Sequence, residues 1–207
     1  MVLLQCIRFR VLTYHCLPVP VIVQALAKYK GVLSIRIVLT ESATHFLAGQ
    51  SPEQPTVLSL LHLPNVDAVY RDQDEWGPQP WKRGANILHI ELRRWADLMV
   101  VAPLSANTLA KAMWRHPITE KQMRVLEQDW GVKEDVHIAG RTRAIMGWFE
   151  VLKPISKTLA CGDTGGAMAS VDTICEAIEQ RLELNDALEA KTMEDEEQRR
   201  AQALANE

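Results

Sequence analysis

The sequence predicts an α/β fold built on a parallel sheet. Three observations carry that expectation. Strand-like and helix-like stretches alternate along the chain. "DLMVVAP" (97–103) is apolar on both sides, as a parallel strand covered by helices must be. Amphipathic helical stretches flank it at helical spacing. With 207 residues, 47% of them hydrophobic, the chain is long enough to bury a sizeable core.

The elements follow in order. In "MVLLQCIRFRVLTYHC" (1–16), Ile7, Phe9 and Val11 alternate with Arg8 and Arg10, the pattern of a half-exposed strand. A central parallel strand would bury those arginines at a cost of several kcal/mol each unless paired, so 1–16 reads as an atypical N-terminal segment. Pro20 suits a first helical turn, Ile22, Ala25, Leu26 and Tyr29 share one helical face, and Gly31 ends that helix. "VLSIRIVLT" is a strand rich in β-branched residues. "ESATHFLAG" enters a short helix that Ser42 or Thr44 can cap. "DAVYR" is a short strand and "DQDEWGPQPWKRGAN" a loop. Asn86 is placed to cap "ILHIELRRWA", with Leu88, Leu92 and Trp95 on one face and His89 and Arg93 on another. After "DLMVVAP", a helix opens at "SANTLAK" and is cut short by "RHP".

"VKEDVHIAGRTRAIMGWFEVLKP" connects this body to a Gly-rich stretch, with Trp148, Phe149 and Val151 in a strand or packed turn. "SVDTICEAIEQRLEL" is the closing amphipathic helix, Ile174, Ile178 and Leu182 inward, Ser170 or Asp172 at its cap and Cys175 structural. The tail, 185–207, is mixed in charge and reads as a solvated helix or as disordered. The expected organisation is 1–16, a body over 17–184, and the tail over 185–207.

Several function classes are excluded at this level. A net charge of −3 leaves no electrostatic footprint for nucleic acid or an anionic membrane. No apolar run reaches the length of a membrane span. Cys6, Cys16, Cys161 and Cys175 form no CxxC pair, which points to a reducing, cytoplasmic setting. His45, His62, His116 and His137 lack metal-ligand spacing.

Three stretches can carry chemistry. "SANT" (105–108) lies at a strand's carboxyl end, where its hydroxyls, amide and backbone N–H groups suit a phosphate or polar heterocycle, or simply cap the next helix. In "LACGDTGGAMA" (159–169), Cys161 sits on a loop of glycines, either an accessible thiol or an incidental one in a turn. His89 lies on the helix leading into the SANT strand, so it is either a packed residue or a partner at the same strand end. Trp76 and Trp81 in the acidic loop either line a pocket or, as the default, pack in the core or on the surface.

"ILHIELRRWADLMVVAPLSANTLAK" together with "LACGDTGGAMA" resembles the phosphopantothenoylcysteine decarboxylase family, and "DAVYRDQDEWGPQPWKRG" resembles its fungal, halotolerance-protein branch. The resemblance runs over about 17–184 with gaps. It implies a flavodoxin-like three-layer fold, an FMN cofactor, and decarboxylation of 4′-phosphopantothenoylcysteine to 4′-phosphopantetheine in coenzyme A biosynthesis. It implies His89 as catalytic base and Cys161 as proton donor. Ser105, Ala106, Asn107 and Thr108 would hold the flavin, and Ser42, Ala43 and Thr44 would make a second FMN contact. Thr158, Ala160 and Met168 would border the substrate. It also implies a trimer with FMN at the subunit interface, as a homotrimer or mixed with a paralogue. For the fungal branch it implies a protein phosphatase as a possible partner.

The chemistry explains the residue types. A cysteinyl carboxylate cannot lose CO2 without an electron sink, which oxidation at the thiol-bearing carbon provides. The product must then be reduced and protonated by a placed acid such as Cys161.

Two departures from the family pattern stand out. The family opens on a strand and a Gly-Ser-Val-Ala phosphate loop, where this chain has "MVLLQCIRFRVLTYHC". Its helix after SANTLAK continues to another strand and a motif whose asparagine grips the substrate, where this chain runs directly into "AMWRHPIT". Three readings stay open: a decarboxylase weakened by these losses, a non-catalytic regulatory subunit or phosphatase inhibitor, and a product of exon omission from an intact parent.

Overall fold

The structure is a computed structural model that describes residues 7–13, 19–51, 54–76, 80–102, 117–138, 141–153, 155–158 and 164–205. Four parallel strands form its main sheet: β1 (Ile7–Thr13), β2 (Leu33–Leu39), β3 (Val66–Tyr70) and β4 (Leu98–Val101), in the order β3-β2-β1-β4. This is the parallel α/β architecture that the alternation of elements predicted.

The segment read as a poor sheet strand is therefore central. β1 pairs with β2 from Ile7↔Leu33 to Thr13↔Leu39, and with β4 from Phe9↔Leu98 to Leu12↔Val101. The physical reason lies in β2, whose two faces are covered unequally. Ile35, Ile37 and Leu39 are wholly buried, whereas Arg36 and Val38 between them are only half-buried. Arg10 is in register with Arg36, so the alternating sequence of β1 runs beside a strand that alternates in the same way. "DLMVVAP" departs in the opposite sense: β4 is an edge strand, and Met99 is half-exposed. A register shift between β2 and β3 falls beside Asp67, whose carboxylate accepts a hydrogen bond from the Ser34 hydroxyl.

Helix α1 (Val19–Ala25) continues as a 3₁₀ turn over Leu26–Tyr29 and buries Val19, Ile22, Val23, Leu26 and Tyr29. Gly31 follows at φ +77°, a conformation that a residue without Cβ takes without strain. α2 (Glu41–Thr44) is a single turn. Its cap is Thr40, whose Oγ1 accepts from the Ala43 N–H at 3.3 Å, so neither Ser42 nor Thr44 plays that part. α3 (Leu88–Trp95) also starts differently from expectation. Its N-cap position is Ile87, without a side-chain cap, and Leu88 N–H donates to the Glu75 carbonyl at 3.1 Å, so Asn86 does not cap it.

α4 (Pro117–Arg124) passes into a π turn over Val125–Asp129. Two antiparallel hairpins follow: β5 (Lys133–Ile138) with β6 (Arg141–Met146), and β7 (Ile155–Thr158) with β8 (Thr164–Ala167). The first hairpin was not anticipated. It closes onto Trp130, Val132, Trp148 and Phe149 through backbone bonds of 2.8–3.1 Å. Gly147, at φ +108°, brings its backbone so close to the Gly131 carbonyl that a Cβ would lie 2.1 Å from the oxygen.

The closing helix is α5 (Val171–Arg181), with Ile174, Cys175 and Ile178 buried and Ser170 Oγ accepting from the Thr173 N–H at 3.1 Å. Cys175 is a buried free thiol packed against α1, its Sγ 4.0 Å from the Ile22 carbonyl. Glu183 takes a left-handed turn into α6 (Leu184–Ala205), which settles the tail as a helix. Tyr29 donates to Asn185 Oδ1 at 2.7 Å and Lys28 pairs with Glu179 at 2.9 Å, tying both closing helices to α1. By contacts, the chain divides into a sheet unit (Met1–Pro103 with Ile174–Glu207) and a hairpin unit (Leu104–Thr173). No described helix is long and apolar enough to cross a membrane.

Candidate functional site

The carboxyl end of β2 and β3 opens on a cavity of about 250 Å³. Val38 from β2 with Leu88 and Leu92 from α3 gives it an apolar wall. Arg71, Asp72, Glu75 and His89 make it polar on the other side, and Trp76 stands half-exposed beside them. Ligands of open parallel sheets bind at such strand ends.

The acidic turn after β3 organises this place. A 3₁₀ turn over Asp72–Asp74 is closed by Asp74 N–H donating to the Arg71 carbonyl at 2.9 Å. Asp74 Oδ2 accepts the Arg71 N–H at 2.8 Å, and Asp72 Oδ2 accepts the Glu41 N–H of α2 at 2.8 Å. The Glu75 carboxylate meets Nδ1 of His89 on the first turn of α3. The imidazole is 58% exposed and the Glu75 side chain 26%, so the ring is reachable while its partner is largely sheltered. With Nδ1 engaged, Nε2 is the ring nitrogen left to act.

Ser42, Ala43 and Thr44 lie on α2, which Asp72 joins to the same turn. Ala43 is buried and its N–H donates to Thr40. The Thr44 hydroxyl donates to the Glu41 carbonyl at 2.6 Å. Ser42 is exposed, with no hydrogen-bond partner among the described residues. The structure thus gathers His89 and the 42–44 turn around one strand end.

The other candidates belong to the hairpin unit or lie beyond the described residues. Ser105, Ala106, Asn107, Thr108, Ala160 and Cys161 fall outside them. Thr158 is the last paired residue of β7, opposite Thr164, so 159–163 connects the two strands of a hairpin. Met168 follows β8 and is half-buried. Among the described residues, no group of three or more His, Cys, Asp or Glu is placed to hold a metal ion.

Sequence reasoning missed Glu75, Asp72 and Arg71, while Trp76 lines the cavity, one of the two readings open for it. The signal was available: "DQDE" is an acidic turn following a strand and shortly preceding a helix that carries histidine in its first turn.

Comparison with known proteins fits this geometry. The Flavoprotein family model matches residues 13–112. Phosphopantothenoylcysteine decarboxylase of Mus musculus is 33% identical over 220 residues, covering 88% of this chain and 91% of the mouse protein. Among solved structures, HAL3 from Cryptococcus neoformans superposes with a TM-score of 0.51 at 26% identity, over 86% of this chain and 97% of that one. The FMN-dependent cysteine decarboxylase SpaF shares the fold, with a TM-score of 0.52 at 17% identity over 87% of this chain and 99% of its own.

Proposed function

This chain belongs to the phosphopantothenoylcysteine decarboxylase family of flavoproteins, and from that premise we propose that it decarboxylates 4′-phosphopantothenoylcysteine to 4′-phosphopantetheine with FMN, a step of coenzyme A biosynthesis. The observation that carries this reading is His89, exposed at the cavity beside the carboxyl ends of β2 and β3, with Nδ1 occupied by Glu75.

The described residues suit a flavin in part. The apolar wall of Val38, Leu88 and Leu92 accepts a flat ring, and the unpartnered Ser42 hydroxyl offers it a polar contact. The first turn of α2 suits the FMN phosphate less well, because the Asp72 carboxylate already takes the Glu41 N–H there. Ser42, Ala43 and Thr44, with Ser105, Ala106, Asn107 and Thr108, would hold the flavin. When bound, FMN supplies the two-electron oxidation at the thiol-bearing carbon that lets CO2 depart.

The chain's own residues then handle binding and protons. His89 takes a proton at Nε2 as general base. Cys161 returns one from its thiol to the product carbon. Thr158, Ala160 and Met168 border the substrate. The departure from the family's phosphate loop weakens FMN binding, and that from its substrate asparagine weakens the hold on substrate. Each lost charge-assisted hydrogen bond to the FMN phosphate costs about 1.5–3 kcal/mol, roughly a tenfold to hundredfold weakening apiece. The decarboxylase part, expected over 17–184, takes in the central strand β1 as well; it works in the cytoplasm as a trimer, alone or with a paralogue. The exposure of His89 leaves room at the cavity for a neighbouring subunit, which supports that assembly.

The test is CO2 release from purified protein given saturating FMN and 4′-phosphopantothenoylcysteine. Slow release is expected from a trimer seen by light scattering, falling about 10²–10⁴-fold further in His89→Asn. A protein loaded with FMN that releases no CO2, or a His89→Asn variant as active as the parent, overturns the reading.

A further inference from the structure

We propose that Glu75 is the positioning residue of His89: its carboxylate keeps the proton on Nδ1 and so leaves Nε2 as the basic nitrogen. This rests on the decarboxylase reading given above.

The argument comes from how the acids of one turn are used. "DQDE" (72–75) supplies three carboxylates within four residues, and the structure gives each a different partner. Asp72 accepts from the backbone of α2, Asp74 accepts from the Arg71 N–H, and Glu75 alone reaches the imidazole. Glu75 is also anchored through its main chain. Its N–H donates to the Asp72 carbonyl at 3.3 Å, and its carbonyl accepts the Leu88 N–H at 3.1 Å. The residue therefore spans the turn and α3 by its backbone, one position before His89, and its carboxylate then meets the histidine from a fixed base.

A neutral imidazole carries one proton, and the nitrogen that donates it is fixed by the partner of that nitrogen. An ionised carboxylate only accepts, so opposite Nδ1 it selects the Nδ1–H tautomer. It also holds the ring's rotation, which matters for a side chain with most of its surface in solvent. The wrong tautomer would present Nε2–H, a donor, where an acceptor is required.

The experiment reads the ring nitrogens directly. In histidine labelled with 15N, long-range 1H–15N spectra distinguish the two neutral tautomers, and His89→Asn identifies the His89 signals. At a pH where the ring is neutral, the parent protein is expected to show His89 as the Nδ1–H form, with or without FMN. Glu75→Ala is expected to release it to the Nε2–H form. Glu75→Gln, whose amide oxygen still accepts, should retain the parent tautomer. Asp74→Asn, altered in the same turn away from the ring, should leave it unchanged. In CO2 release, Glu75→Ala should lower kcat by roughly 10–100-fold with KM within about twofold, and Glu75→Gln should recover most of it.

A parent His89 in the Nε2–H form, a tautomer indifferent to Glu75→Ala, or an Asp74→Asn effect as large as that of Glu75→Ala overturns the proposal. Failure of the functional reading looks different: the tautomer follows Glu75 as stated while no variant, parent included, releases CO2.

Discussion

In the sheet unit, Ile35, Ile37, Leu39, Leu60 and Leu92 have at most 1% of their surface exposed, whereas in the hairpin unit Trp130, Phe149 and Trp148 stand 53%, 43% and 88% exposed. The first unit is held by apolar burial along a parallel sheet. The second, as far as its residues are described, is held by backbone hydrogen bonds and close main-chain approaches, such as Gly147 against Gly131. The two candidate chemistries divide the same way. His89 sits on a helix packed by the core, while Thr158 ends a short antiparallel ladder opposite Thr164. The first place is set by packing, the second by a short ladder.

The largest test of this contrast is truncation. Ile37→Ala is expected to cost about 2–5 kcal/mol in chemical denaturation, because it removes wholly buried methyl groups from β2. Trp148→Ala, for all its size, should stay within about 0.5 kcal/mol, as exposed side chains do. Equal costs for the two would erase the distinction between the units.

A smaller effect sharpens how the tail joins the core. Tyr29 is wholly buried and donates to Asn185 at 2.7 Å, so Tyr29→Phe should lose about 1 kcal/mol while leaving the apolar packing intact. Hydrogen exchange should show the loss concentrated at the start of α6. A uniform loss across the sheet would mean that the tail is not separately attached.

The smallest effect is electrostatic. The hydrogen bond to Glu179, aided by Tyr29, raises the Lys28 ammonium above its ordinary value. A raised folded value means that the ion pair stabilises below the ordinary lysine range. That contribution disappears as pH climbs through the raised value, above about pH 10.4. Lys28 is more than half exposed, so the pair is worth at most about 1 kcal/mol. Melting of Lys28→Met against the parent should differ slightly at neutral pH and converge in strong alkali. A gap that persists there would assign the effect to packing of the lysine stem.

The same contrast governs what the sequence revealed. β2, α1 and α5 were legible because each buries residues at one period, as with Ile174 and Ile178 on α5. β1 was legible as a strand but not in its place, since alternating arginines describe local exposure and not the coverage of the neighbouring strand. The cap of α2 went to Thr40 because the helix starts two residues earlier than a Ser42 cap, and four earlier than a Thr44 cap, would place it. The β5–β6 hairpin escaped because its ladder is made by backbone groups, which leave little periodic pattern. For the site, His89 was named from the family motif. Glu75 was not, because its role depends on a turn that folds "DQDE" back beside α3, and spacing along the chain does not express that.

Arg36 gives the helix of His89 a second support. Its guanidinium lies 4.1 Å from the ring centre of Trp95, the last residue of α3, and its buried Nε has no hydrogen-bond partner among the described residues. At the opposite end, Glu75 grips the first turn through Leu88 and His89. The helix therefore behaves as a short beam resting on two piers, one on β2 and one on the acidic turn, roughly 9 Å apart along its axis. Removing the far pier would let the beam pivot about the near one. A change at Arg36, a residue with no part in proton transfer, would then be felt as a displaced imidazole.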